Sequence, residues 1–109
     1  MLLQFDDRLR VVISSANLYR FDWELISQVI WFQDFFPSKT KNHSDFEQDL
    51  ALFMERVKPK QSRKQVYAKE IELKNYDFST AKVKIVGSVH GRHTGDDLNL
   101  FGINRLSEI

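Results

Sequence analysis

The residues best placed to do chemistry are two carboxamides, three histidines and one loop arginine. Asn17 follows Ser14 and Ser15 at the end of an apolar run, and Gln28 interrupts a second apolar run. The end of a strand is where ligands meet an α/β sheet. An Asn there is also the ordinary turn residue that tolerates left-handed backbone. Gln28 in an apolar strand reads either as a site residue or as a satisfied buried amide. His43, His90 and His93 are the only histidines. His90 and His93 bracket a Gly-Arg pair with no carboxylate cluster beside it, a poor ligand set for zinc, so no metal is expected. Arg92 lies in that Gly-bearing loop, where an arginine is either solvated or a phosphate contact.

Composition narrows the chemistry. There is no Cys, which excludes disulfides, a thiolate zinc site and a cysteine nucleophile. Sixteen Lys and Arg against fifteen Asp and Glu leave a formal charge of +1, so no global field draws the chain to nucleic acid. Any such contact must be local. The run from Lys58 to Lys69 is basic enough to touch a phosphate, although a charge run usually marks a solvated connector. The 109 residues amount to one domain or less, and nine Phe, three Tyr and two Trp favour a packed core or a covered interface. Trp23 and Trp31 are expected in that core. Apolar runs fall far short of the roughly 20 residues that span a bilayer. No basic region precedes an apolar one at the N-terminus, so no signal peptide is expected.

The elements that must hold these residues follow from patterning. Residues 1–5 and 9–14 read as two strands joined by the polar turn Asp6-Asp7-Arg8. The unbroken apolar character of Val11, Val12 and Ile13 predicts burial on both faces. Residues 15–23 read as a loop, and 25–32 as a third strand ending before Asp34. Ser44 with Glu47 fits a capping box, and Phe46, Leu50, Phe53, Met54 and Val57 then form one apolar stripe at helical period. Such a stripe must dock on a sheet, because a helix of this length is marginal alone. Lys58-Pro59 predicts the stop. Residues 60–65 form a basic connector, and 66–76 a weak second helix in which Ile71 and Leu73 also alternate like a strand. Residues 81–88 predict a strand, with Val83 and Ile85 alternating against Lys82 and Lys84. Residues 90–95 form a loop, and 101–109 another helix. There is no internal repeat.

One string carries more than pattern. Leu9 to Leu18 reads LRVVISSANL, Asp22-Trp23 follows, and Gln28-Val-Ile-Trp31 comes next. In this order the sequence resembles the tyrosyl-DNA phosphodiesterases of the phospholipase D superfamily. The likeness continues through the helix after Ser44 and returns at Tyr76-Asp-Phe-Ser, at Val83-x-Ile-Val-Gly-Ser88, at Gly91-Arg92, and at Phe101-Gly102 with Arg105-Leu106.

The resemblance implies an α/β fold: a fragment of an α-β-α sandwich in which helices flank a mixed sheet. Residues 1–109 would be a partial phospholipase D-like domain beginning just after the family's first His-x-Lys motif, and the second phospholipase D-like half would be its partner. None of the three histidines is followed by x-Lys, so the chain alone is expected to be inactive.

The resemblance also implies a reaction: hydrolysis of 3′-phosphotyrosyl and related adducts at DNA 3′ ends, through a phosphohistidine and without a cofactor. Asn17 would donate its amide to a nonbridging phosphate oxygen, and Gln28 would orient an imidazole from the other half. Arg92 would face the DNA groove, and the whole protein would work in the nucleus. The rival reading is an inactive truncated paralogue that at most binds nucleic acid. A lipid phospholipase is disfavoured. The Asp that follows His-x-Lys in lipid enzymes would fall near residues 3–5, where there is none, and no membrane-binding stripe appears.

Overall fold

A computed structural model describes residues 1–40, 44–57 and 71–109. Three strands form one sheet in sequence order: β1 (Leu2–Gln4), β2 (Leu9–Ser14) and β3 (Ile30–Phe35). Among the described residues there are three α-helices: α1 (Arg20–Glu24), α2 (Asp45–Val57) and α3 (Gly102–Glu108). Single 3-10 turns occupy Leu73–Asn75 and Gly95–Asp97. Both strand pairs are antiparallel, so the mixed sheet expected from the sequence is not what the described strands form. The short turn between Gln4 and Leu9 admits only an antiparallel pair, since a parallel one needs a crossover of about a dozen residues or more.

The first hairpin closes where the polar turn predicts, with the Phe5 amide donating to the Arg8 carbonyl at 2.8 Å. The second hairpin differs from expectation. Its pairing runs from Leu9 opposite Phe35 to Ser14 opposite Ile30, so β3 starts five residues later than the apolar run at Leu25 suggests. Register explains the shift: β2 ends at Ser14 opposite Ile30, and no residue before Ile30 belongs to the backbone ladder. Leu25 and Val29 stand 72% and 77% exposed, showing that the apolar run does not mark core.

The core lies on one face of the sheet. Leu9, Val11 and Phe35 pack there with Phe46 and Leu50 of α2 and with Tyr76 and Phe78. Phe35 sits 4.5 Å from Phe78 and 5.4 Å from Phe46, ring centre to ring centre. The predicted stripe on α2 therefore docks as expected, Met54 half-buried behind Leu50 and Val57 exposed. The Ser44 hydroxyl accepts the Glu47 amide at 3.2 Å, the first limb of the capping box. Burial of β2 on both faces is not observed: Ile13 is exposed and Val12 only half-buried. The opposite face instead carries an ion pair. Arg10 grips Asp34 through two hydrogen bonds of 2.7 and 2.8 Å, and its guanidinium lies over Phe32 and Phe5 at 4.8 and 5.6 Å.

Residues 81–88 are not a strand in any ladder, contrary to the sequence pattern. The burial alternation is real: Ala81, Val83 and Ile85 pack against the core while Lys82 and Lys84 face solvent. What is missing among the described residues is a strand partner. The Gln33 side chain substitutes for one, donating to the Thr80 carbonyl at 2.7 Å and accepting the Lys82 amide at 3.2 Å. The chain then passes so close to α2 that a Cβ on Gly87 would meet the Phe53 ring at 2.5 Å. The Gly102 amide donates to the Gly87 carbonyl at 3.0 Å, and φ near +63° at Gly102 turns the chain into α3 as only glycine does readily. The weak helix expected over 66–76 is reduced, within the described part, to the 3-10 turn. His43, the Lys58-Pro59 stop, the connector 60–65 and the whole basic run from Lys58 to Lys69 lie outside the described residues.

Candidate functional site

The loop from Ser15 to Val29 is a closed circuit of hydrogen bonds. At its neck the Ser15 amide donates to the Val29 carbonyl at 3.0 Å, and the Val29 amide donates back to the Ser15 hydroxyl oxygen at 2.9 Å. This is one more rung beyond the β2–β3 ladder, made with a side chain. Just inside, the Ser14 hydroxyl oxygen accepts the Ala16 amide at 3.0 Å, bending the chain away from the strand. The loop is not wholly irregular: α1 fills its centre. An Arg20–Glu24 pair at 2.6 Å runs along that turn of helix, as i,i+4 partners do.

Asn17 and Gln28 meet inside this circuit through Asp22. The Asp22 carboxylate oxygen Oδ2 accepts two hydrogen bonds from Asn17, from its backbone amide at 2.8 Å and its side-chain Nδ2 at 3.0 Å. The Asp22 carbonyl accepts from Gln28 Nε2 at 3.0 Å. Gln28 Oε1 accepts the Ser15 hydroxyl at 2.5 Å. Trp23 Nε1 donates to the Asn17 carbonyl at 2.9 Å. Trp23 is therefore not a core residue as expected: it is 52% exposed and serves the loop. Trp31 does pack on the core, tilted against Phe46 at 6.1 Å.

Counting protons gives the chemistry this circuit can perform. Asn17 uses one Nδ2 hydrogen on Asp22 and keeps the other, and Gln28 keeps one Nε2 hydrogen and one Oε1 lone pair. Two amides with one N–H each uncommitted among the described residues can hold an anion's oxygens, and the spare Oε1 lone pair can accept from an imidazole N–H. Carboxamides transfer no proton at neutral pH. The circuit can bind and orient, but it contains neither an attacking nitrogen nor a general acid. Sequence reasoning placed Asn17 and Gln28 here and overlooked Asp22 and Ser15 as the residues that tie them together. The Asp22-Trp23 pair was visible in the sequence, but its role needs the loop closed.

Arg92 stands apart. It is exposed, follows Gly91 at φ +128°, and makes no hydrogen bond or ion pair among the described residues. Its neighbour His93 donates from Nε2 to the Val89 carbonyl at 2.9 Å. The His93 ring lies 5.2 Å from that of Phe101, over which Arg56 sits at 5.8 Å. Arg56 also forks onto Asp97 at 2.9 and 3.0 Å, which holds the Asp97 carboxyl below the usual carboxylate range. The loop bearing Arg92 is thus braced on α2, and no hydrogen bond joins it to the Asn17 circuit among the described residues.

The family model described as tyrosyl-DNA phosphodiesterase matches residues 1–109. The chain belongs to the tyrosyl-DNA phosphodiesterase family. It is 33% identical to tyrosyl-DNA phosphodiesterase 1 of Arabidopsis thaliana over 100% of its own length and 20% of the relative's. It is 36% identical to tyrosyl-DNA phosphodiesterase 1 of Drosophila melanogaster over 81% of the chain and 16% of the relative. A probable tyrosyl-DNA phosphodiesterase of Caenorhabditis elegans is 31% identical over 95% of the chain and 22% of the relative. The chain thus spans about a fifth of the length of these relatives. No solved structure matches it.

Proposed function

We propose that these residues are the part of a DNA-repair phosphodiesterase that presents two amides to a phosphodiester at a DNA 3′ end. The observation that carries the reading is the shared anchor of Asn17 and Gln28 on Asp22, with one N–H of each unspent. The whole protein would hydrolyse a 3′-phosphotyrosyl link in two steps. A histidine nitrogen attacks phosphorus, and the phosphorus–phenolic oxygen bond breaks. A second histidine protonates the leaving phenolate, then takes a proton from water, which cleaves the phosphohistidine. Both histidines would come from outside these 109 residues, which hold no His-x-Lys pair.

Asn17 would donate its free N–H to a nonbridging oxygen, stabilising charge that builds there in the transition state. Gln28 would accept an imidazole N–H on Oε1 and so fix the tautomer of one histidine. Arg92 would meet a DNA phosphate or stack on a base. The antiparallel sheet would be one part of a phospholipase D-like α-β-α sandwich, with its uncovered face, bearing Leu3, Phe5, Ile30 and Phe32, beneath a second helical layer. A second such half would complete the active site, and work on DNA ends would place the protein in the nucleus.

Fluorescence anisotropy separates the substrate readings. The chain should bind a single strand ending in 3′-phosphotyrosine more tightly than the same strand ending in 3′-hydroxyl. Binding should weaken with salt and on Arg92→Ala. Equal affinity for the two strands would refute the 3′-end reading, and salt-independent binding to liposomes instead would point to a lipid substrate.

A further inference from the structure

We propose that Asp22 is the positioning residue of this half-site, setting the direction in which both amides present their free hydrogens. The proposal rests on the functional reading above and deepens it. Among the described residues Asn17 and Gln28 share no hydrogen-bond partner except Asp22, the first through its carboxylate and the second through its backbone carbonyl. Asp22 Oδ2 takes both N–H groups of Asn17, and the Asp22 carbonyl takes Gln28 Nε2. A carboxamide freed from such a partner rotates about its terminal torsion, a broad two-fold well, and its donor then points anywhere on a cone. With one Nδ2 hydrogen pinned at 3.0 Å, the other is fixed by the planarity of the amide. The same holds for Gln28, whose Oε1 is pinned in addition by Ser15.

The placement has an apparent cost. A carboxylate beside an anion site repels the anion it helps to bind. The geometry answers this: the carboxylate faces Asn17, and the amide transmits its pull as a polarised N–H on the far side. Asp22 therefore acts through Asn17 and does not touch the phosphate itself. Its short reach matters as much as its charge, because Oδ2 must meet Nδ2 and the backbone N–H of one residue together. A neutral isostere with an oxygen in the same place, as in Asp22→Asn, should keep the alignment. An apolar isostere, as in Asp22→Leu, should lose it.

The test is side-chain amide NMR on the 15N-labelled 109-residue chain, with a 3′-phosphotyrosyl oligonucleotide as probe. In the unmodified chain one Asn17 Nδ2 proton should exchange about tenfold more slowly than the other, as a retained hydrogen bond requires. In Asp22→Leu the difference should vanish and the Asn17 side-chain signals should no longer move on adding the oligonucleotide, while Gln28, held on the backbone carbonyl of residue 22, should respond as before. Asp22→Asn should restore both. Unchanged Asn17 signals in Asp22→Leu, or Asp22→Asn no better than Asp22→Leu, would overturn the proposal. If Asp22→Leu unfolds, seen as collapsed Val11 and Phe35 signals, the decision passes to the other two proteins: equal exchange of the two Asn17 protons in the unmodified chain overturns it. Signals that depend on Asp22 but never respond to the oligonucleotide would sustain the positioning role and sink the substrate reading.

Discussion

The β2–β3 hairpin is closed in two different ways at its two ends. At one end Leu9 faces Phe35, both wholly buried, and Phe46 and Phe78 cover the pair with rings. At the other, Ser14 faces Ile30 and the chain opens into an exposed loop held by hydrogen bonds among Ser15, Asn17, Asp22, Trp23 and Gln28. The ring end gains its stability from area removed from water, which is non-directional. The loop end gains little stability, because each exposed hydrogen bond replaces one to water. What it gains is direction. The strands anchor the loop, the loop holds the two amides in place, and the two ends should therefore respond differently to mutation.

The ring end should show the largest effect on stability. Phe35→Ala removes a fully buried ring and should cost about 3–5 kcal/mol in urea unfolding. A midpoint close to the unmodified chain's would mean that this end does not carry the fold. Gly87→Ala should come next, at about 1–3 kcal/mol, because its Cβ would press on Phe53 at 2.5 Å. Unchanged thermal unfolding there would show that the Phe53 ring yields freely.

The acid limb of stability sharpens the comparison on the open face of the same hairpin. The hydrogen bonds from Arg10 hold the Asp34 carboxyl below the usual carboxylate range, with Arg8 adding to the effect. A carboxyl lowered on folding contributes stability that is complete above its unfolded pKa and is lost as pH falls through the folded value. The chain should therefore weaken below about pH 4, and Asp34→Asn should flatten that slope without removing the parts due to Asp77 and Asp97, both also lowered. An identical acid limb in Asp34→Asn would refute the assignment. The smallest effect on stability belongs to the loop end. Asn17→Ala should shift unfolding by no more than about 0.5–1 kcal/mol while weakening binding of the 3′-phosphotyrosyl strand. A larger loss of stability would make Asn17 structural.

The same division decides what could be read from the sequence. Leu9, Val11, Phe46 and Leu50 follow the periods of a strand and a helix, so their burial was legible. So was the first hairpin turn. Ile13 was misread because apolar character does not say whether a second layer covers a face. The start of β3 was misread because Leu25 and Ile26 look like core, and only pairing with Ser14 fixes Ile30 as the first rung. Val83 and Ile85 alternate as a strand would, yet a ladder also needs a neighbour, which the pattern of one segment cannot supply. In the loop, Asn17 and Gln28 were singled out through family likeness, and their meeting on Asp22 was not legible. Asp22 was in view beside Trp23, but a partnership across a loop has no period.

The central claim is that these residues orient a phosphodiester and do not cleave it. The most direct measurement is release of tyrosine from a 3′-phosphotyrosyl oligonucleotide by the 109-residue chain alone, at chain in large excess over substrate. The account predicts binding that Asn17→Ala weakens, and no release. Release of tyrosine by the unmodified chain, abolished by Asn17→Ala, would contradict it.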